Sequence, residues 1–155
     1  MKDASMLSAV KTLQYGVYVV SSKWGSQLGG LTASWVSQVC HEPPLISVVV
    51  NTNSNTHRLI KESGCFAVNV LRVDQKDLAR FFSSSKKDKF TVMPYKEEKS
   101  GAPILKEAYA YLDCKVWKEV ECGDHTMFIG EVLKGAVDKE GETLTTRDLE
   151  STYVG

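Results

Sequence analysis

The chain carries no excess of charge: 19 lysines and arginines stand against 19 aspartates and glutamates in 155 residues. Nucleic-acid binders show a basic surplus, so that class starts at a disadvantage and no such partner is expected. No apolar run approaches the roughly 18 residues needed to span a bilayer. The opening Met1 to Ser8 lacks the apolar core of a signal peptide. A cytoplasmic protein that does not engage a membrane is the expectation. The four cysteines, Cys40, Cys65, Cys114 and Cys122, form no C-x-x-C pair, and three lie in apolar runs. Reduced, mostly buried thiols are therefore expected. Also missing are G-x-x-x-x-G-K-[ST], G-x-G-x-x-G, G-x-S-x-G and H-E-x-x-H, the common phosphate, dinucleotide, hydrolase and zinc signatures.

What is present reads as one domain spanning 1–155. Hydrophobic residues at 43% and charged residues at 25% suit a core-forming soluble chain too short for two ordinary domains. Leu13 to Val20 is rich in aromatic and β-branched residues and predicts a strand. Trp24 to Gly30 reads as a glycine-rich turn, followed by a strand from Leu31 to Cys40. Pro43 and Pro44 break that strand, because proline fixes φ and removes a donor. Leu45 to Val50 is apolar on both faces and predicts a central strand, the third of an antiparallel meander.

A helix is predicted over Ser54 to Ser63, capped by Asn or Ser and stopped at Gly64. Cys65 to Leu71 returns as a strand, and Asp74 reads as the cap of a second helix burying Leu78, Ala79, Phe81 and Phe82. Ser83 to Lys89 is a polar connection. Ala108 to Glu121 alternates, turns at Cys122 to Asp124, and pairs with His125 to Val137 in a long hairpin. Gly130 and Gly135 stand where a barrel strand bends. The sum is mainly β: an antiparallel barrel with short helices capping its ends.

Two stretches carry chemistry. Asn51, Asn53, Ser54 and Thr56 open a helix whose free N–H groups and positive dipole end suit a phosphate, with Lys86, Lys87 and Lys89 as countercharge. The same residues also make an ordinary helix cap. Thr32 to Trp35 offers short polar groups beside an aromatic ring, fit for a flat ligand, or else plain core. His125, next to Asp124 on the hairpin turn, suits a proton relay or a nicotinamide contact, or is a solvated turn residue. Cys114, Cys122 and His125 lack a fourth partner for structural zinc, and no metal is expected.

In order along the chain, Leu31 to Val36, Pro43-Pro44, Val48 to Asn51 with Ser54, Thr56 and His57, Phe66 to Leu71, Gly101 to Leu105, and Gly123 to His125 with Gly130 to Val132 resemble the flavin reductase family, FMN-binding split-barrel proteins that include flavoredoxins. The resemblance runs from Leu13 to Val137. It implies a split β-barrel homodimer with FMN near the subunit interface. It also implies cofactor contacts from Leu31, Thr32, Ala33, Ser34 and Trp35, from Val50, Asn51, Asn53, Ser54 and Thr56, and from Lys89 and Phe90. By the same resemblance His125 lies at the flavin's reactive face, where NADH or NADPH or a redox protein approaches. The activity implied is NAD(P)H-dependent flavin reduction; a flavoredoxin-type electron carrier and a non-catalytic flavin-binding module are the alternatives. Family members are expected to run somewhat beyond Thr152 to Gly155, where this chain stops.

Overall fold

The computed structural model describes residues 3–150, so the terminal Thr152 to Gly155 lies outside the described residues. The described residues form nine strands: β1 Tyr18–Trp24, β2 Gln27–Ala33, β3 Val36–Cys40, β4 Leu45–Asn51, β5 Cys65–Val70, β6 Tyr95–Glu97, β7 Pro103–Leu105, β8 Ala110–Cys122 and β9 His125–Val137. They are accompanied by three α-helices, α1 Ala4–Val10, α2 Asn55–Ser63 and α3 Lys76–Ser83, and by one 3-10 turn at Lys89–Thr91. Seven strands form one antiparallel sheet in the order β2-β1-β5-β8-β9-β4-β3, and β6 pairs with β7 apart from it. Among the described residues no helix is long and apolar enough to cross a membrane.

The expected strand Leu31 to Cys40 is in fact two strands. The chain turns at Ser34 and Trp35, where the Val36 amide donates to the Ser34 carbonyl at 3.0 Å, an i to i+2 bond that reverses direction. The three-strand meander therefore does not form: β2 pairs with β1, β3 pairs with β4, and β4 turns to β9. Neither proline nor glycine marks this corner, so the apolar run hides it. Three further boundaries move. The first strand begins at Tyr18, not Leu13; the turn after it is only Gly25 and Ser26; and α3 is preceded by Gln75, because Asp74 is drawn to the Arg72 guanidinium at 2.8 Å.

Elsewhere local chemistry decides the geometry as expected. Ser54 caps α2 by accepting from the His57 amide at 3.1 Å, and Gly64 ends the helix at φ +72°, which glycine adopts without steric cost. Inside the barrel, Val20, Val48, Phe66, Val68 and Phe128 form a fully buried cluster. The Phe66 ring lies so close to β9 that a Cβ at Gly130 would stand 2.6 Å from it. A second cluster joins Val17, Val19 and Leu71 to the apolar side of α3 (Leu78, Ala79, Phe82), seating that helix against β1 and β2. All four cysteines are free thiols. Cys65 and Cys114 are buried, and burial beside Asp113 pushes the Cys114 thiol up to about 12.

Candidate functional site

A groove of about 1330 Å³ opens between β2, the start of α2 and the segment following α3. It is made by packing. Gly29 on β2 lets α2 come close, since a Cβ there would stand 2.7 Å from the Leu59 side chain. Thr32 ties β2 to α3 by donating its hydroxyl to the Ala79 carbonyl at 2.5 Å. The Lys89 ammonium bridges the floor, donating to the Phe82 carbonyl at 2.8 Å and the Gly30 carbonyl at 3.4 Å. Desolvation there holds its pKa below the ordinary lysine value. Phe90 packs on Phe82 and Tyr95, with ring centroids 5.4 and 5.5 Å away, and forms one wall.

One end of the groove is the first turn of α2. The Asn51 side chain accepts from the Asn53 amide at 2.8 Å, and the Ser54 hydroxyl donates to the Asn51 carbonyl at 2.8 Å. With those side chains closing the cap, the first-turn amides of Asn55 and Thr56 remain at an end without intrahelical acceptors. Both residues line the groove. Arg80 and Ser83 to Lys87 also line the groove. Helix-end amides and the lysine and arginine side chains lining one groove suit an anionic, phosphate-bearing ligand.

The sequence-selected residues divide into two groups. Leu31, Thr32, Asn51, Asn53, Ser54, Thr56, Lys89 and Phe90 line the groove. Ala33 and Val50 are fully buried in the barrel core, and Ser34, Trp35 and His125 lie beside the groove rather than among its lining residues. The link between the groups is short: Asn51 lines the groove and pairs in register with His125. The His125 ring packs against Trp35 with centroids 4.8 Å apart and planes tilted by 48°. Its Nδ1 lies 2.7 Å from the Asp124 carboxylate; a carboxylate accepts, so Nδ1 carries the proton and the ring orientation is set. The turn carrying both is Gly123-Asp124, with Gly123 at φ +68°, as a two-residue hairpin turn requires.

The Ser34 hydroxyl is buried, and among the described residues it has no hydrogen-bond partner. Such a group costs on the order of 1–3 kcal/mol unless something supplies the bond. It sits in the Thr32 to Trp35 stretch, next to a groove whose donors favour an anion. The residues present therefore fit a phosphorylated, hydrogen-bonding planar ligand.

Sequence reasoning counts His57 in the family resemblance without giving it a role, and passes over Thr126. His57 follows the cap on α2, and its Nε2 lies 2.8 Å from the Thr126 hydroxyl on β9. Desolvation, aided by Lys61 and partly opposed by Glu119, lowers the His57 pKa. The unfolded chain thus takes up this proton at a higher pH than the folded one. The stability tied to neutral His57 is complete above the unfolded value near 6.5 and falls as pH drops through it. The melting midpoint is expected to fall between pH 7.5 and 5.5, and His57→Gln is expected to flatten that decline. A decline equal in parent and variant would assign it to other groups.

The strand order and the groove define a split barrel. A family model described as flavin reductase like domain matches residues 10–152. The chain is 36% identical over 147 residues to the ferric-chelate reductase (NAD(P)H) of Archaeoglobus fulgidus, covering 92% of this chain and 87% of that protein. It is 35% identical over 142 residues to the high molecular weight rubredoxin of Moorella thermoacetica, covering 88% of this chain but 62% of that longer protein. Its fold superposes on the NADH:FAD oxidoreductase of Streptomyces globisporus C-1027 with a TM-score of 0.84 and 32% identity, covering 93% and 89% of the two chains. The chain belongs to the flavin reductase-like family, and it is an oxidoreductase.

Proposed function

We propose that the chain is a single-domain NAD(P)H-dependent flavin reductase that holds FMN and passes electrons to a flavin, a redox protein or a small acceptor. The observation carrying this reading is the groove, which joins the first turn of α2 to Lys89 and Phe90 along β2. The relatives named above supply the chemistry. In this reading the Asn55 and Thr56 amides, with Asn53 and the Thr56 hydroxyl, receive the phosphate. Lys89 is held by two carbonyls and serves as a fixed positive charge under it. Leu31, Thr32 and Ser34 line the ring and its side chain, and Trp35 orients His125. The flavin, when bound, supplies the two-electron redox chemistry. His125, kept in one tautomer by Asp124, faces the nicotinamide.

The groove volume of about 1330 Å³ favours a second reading, in which FAD is the flavin. That space exceeds the ~300–1,000 Å³ common for drug-sized ligands, and Arg80, Lys86 and Lys87 suit a second phosphate. A homodimer is also proposed. Beyond its pairing with β5, the outer half of β8 is exposed and carries Trp117, 60% accessible, and Val120. The free thiols fit a reducing cytoplasm.

The test is the absorbance of the purified protein, then titration with riboflavin, FMN and FAD, and anaerobic mixing with NADH and NADPH. FMN is expected to bind more tightly than riboflavin. Asn51→Ala with Thr56→Ala is expected to erase at least about tenfold of that advantage, as loss of bonds to a charged group should. Equal affinity for riboflavin and FMN would remove the phosphate cradle. Bound flavin that stays oxidised would leave a flavoredoxin-type carrier or a non-catalytic module. Tighter FAD binding would select the second reading.

A further inference from the structure

The tip of the β8–β9 hairpin is held along one edge by β4, whose pairing with β9 reaches Asn51 and His125. Past Lys115, where pairing with β5 ends, β8 is bonded mainly to β9; the Val116 amide donates to the Gly64 carbonyl at 2.8 Å, Lys61 of α2 pairs with Glu119 at 3.4 Å, and the last residues of β8 are exposed. Yet His125 at that tip is 5% exposed and packed on Trp35. Three further bonds reach the tip from residues 52–57, the approach to α2 and its first turn. The Thr52 amide and hydroxyl both donate to the Asp124 carbonyl, at 3.0 and 3.1 Å. The His57 imidazole and the Thr126 hydroxyl are bonded at 2.8 Å, and the His57 ring lies 5.2 Å from that of Phe128. These contacts flank His125 on both sides along the chain, at residues 124 and 126. They reach it from the same turn, residues 51–57, that closes the end of the groove.

We infer that Thr52 and His57 are positioning residues: through Asp124 and Thr126 they set His125 relative to an anion held at the start of α2. The inference rests on the reading of His125 as the residue facing the nicotinamide. The geometry alone makes a separate claim, that the His125 ring is placed by α2. Removing either tie loosens the two-residue turn that lies beyond the β4 pairing, and the ring loses its fixed distance from the groove. Small misplacements of this kind act on turnover more than on binding.

The test compares His57→Leu, Thr126→Val and Thr52→Val with the conservative Thr126→Ser, which keeps the hydroxyl. Thr126→Val preserves volume and Thr52→Val keeps the backbone bond, so two of the variants disturb packing little. Side-chain NMR of the imidazoles, without any flavin, is expected to show the His125 resonances shifted in the three disruptive variants and restored in Thr126→Ser. In turnover with NADH or NADPH, kcat is expected to fall about tenfold, with flavin affinity changed less than about threefold. Unmoved His125 resonances would overturn the inference, as would equal losses of kcat and flavin affinity. If the parent protein bound no flavin, the functional reading would fail and the resonance comparison would still decide the positioning claim.

Discussion

His125→Ala is expected to slow reduction of bound flavin by NAD(P)H by about 10²-fold, the scale on which a positioned histidine contributes. The imidazole is nearly buried, packed against Trp35 with ring centroids 4.8 Å apart and oriented by Asp124, so its removal deletes a fixed group rather than a mobile one. Flavin affinity is expected to stay within about threefold of the parent, because the proposed phosphate contacts lie on α2 and not on the hairpin. Rapid mixing under anaerobic conditions reads the first quantity and flavin fluorescence the second. Equal reduction rates in parent and variant would leave His125 as a turn residue whose burial serves only the Trp35 contact.

The largest effect on stability is expected at Phe66. Its ring is fully buried at the centre of the barrel cluster and lies against the Gly130 backbone. Phe66→Ala is expected to cost about 3–5 kcal/mol, since transfer and cavity terms add. At about 2–4 °C per kcal/mol for a chain of this size, the melting midpoint should drop by about 6 °C or more. Gly130→Ala should also destabilise, because its methyl would stand 2.6 Å from the ring and 2.9 Å from the Cys114 Cβ. The two losses are expected to be strongly non-additive, as the smaller side chain removes the clash. Additive losses in thermal denaturation would show that the ring and the glycine do not share one packing constraint.

The legible parts of the sequence were those where one residue type has one physical use. Gly64 ends α2 because its backbone is left-handed; Pro43 and Pro44 end β3 because they lack donors; and the 13-residue alternation of β8 and β9 matches the two-residue period of a hairpin. The corner at Ser34 and Trp35 was not legible. It depends on a backbone bond between residues 34 and 36 and on where β3 finds its partner, and neither leaves a mark in composition. The short strands β6 and β7 and the helix α1 escaped for related reasons. The strands have three residues each, too few for a period, and α1 buries no residue, so no apolar stripe was needed to form it. In the candidate site, Thr32, Asn51, Asn53, Ser54 and Thr56 line the groove and Ser34 does not, and several of them spend their polar groups on the protein. Thr32 bonds α3, and Asn51 and Ser54 close the cap. The ties from Thr52 and His57 to the hairpin join residues 69 to 72 positions apart, a relation that only the fold supplies.

The self-closed cap has a kinetic consequence. Because Asn51 and Ser54 already satisfy the turn, a phosphate arriving in the proposed binding mode would meet a first turn of α2 formed before it lands, with no segment left to fold around it. Capture should then be governed by diffusion and local charge, with an association rate that falls as ionic strength rises although the chain as a whole is neutral. Release, set by the few bonds to that turn, would be the step that separates a flavin handed on after each turnover from one retained through many.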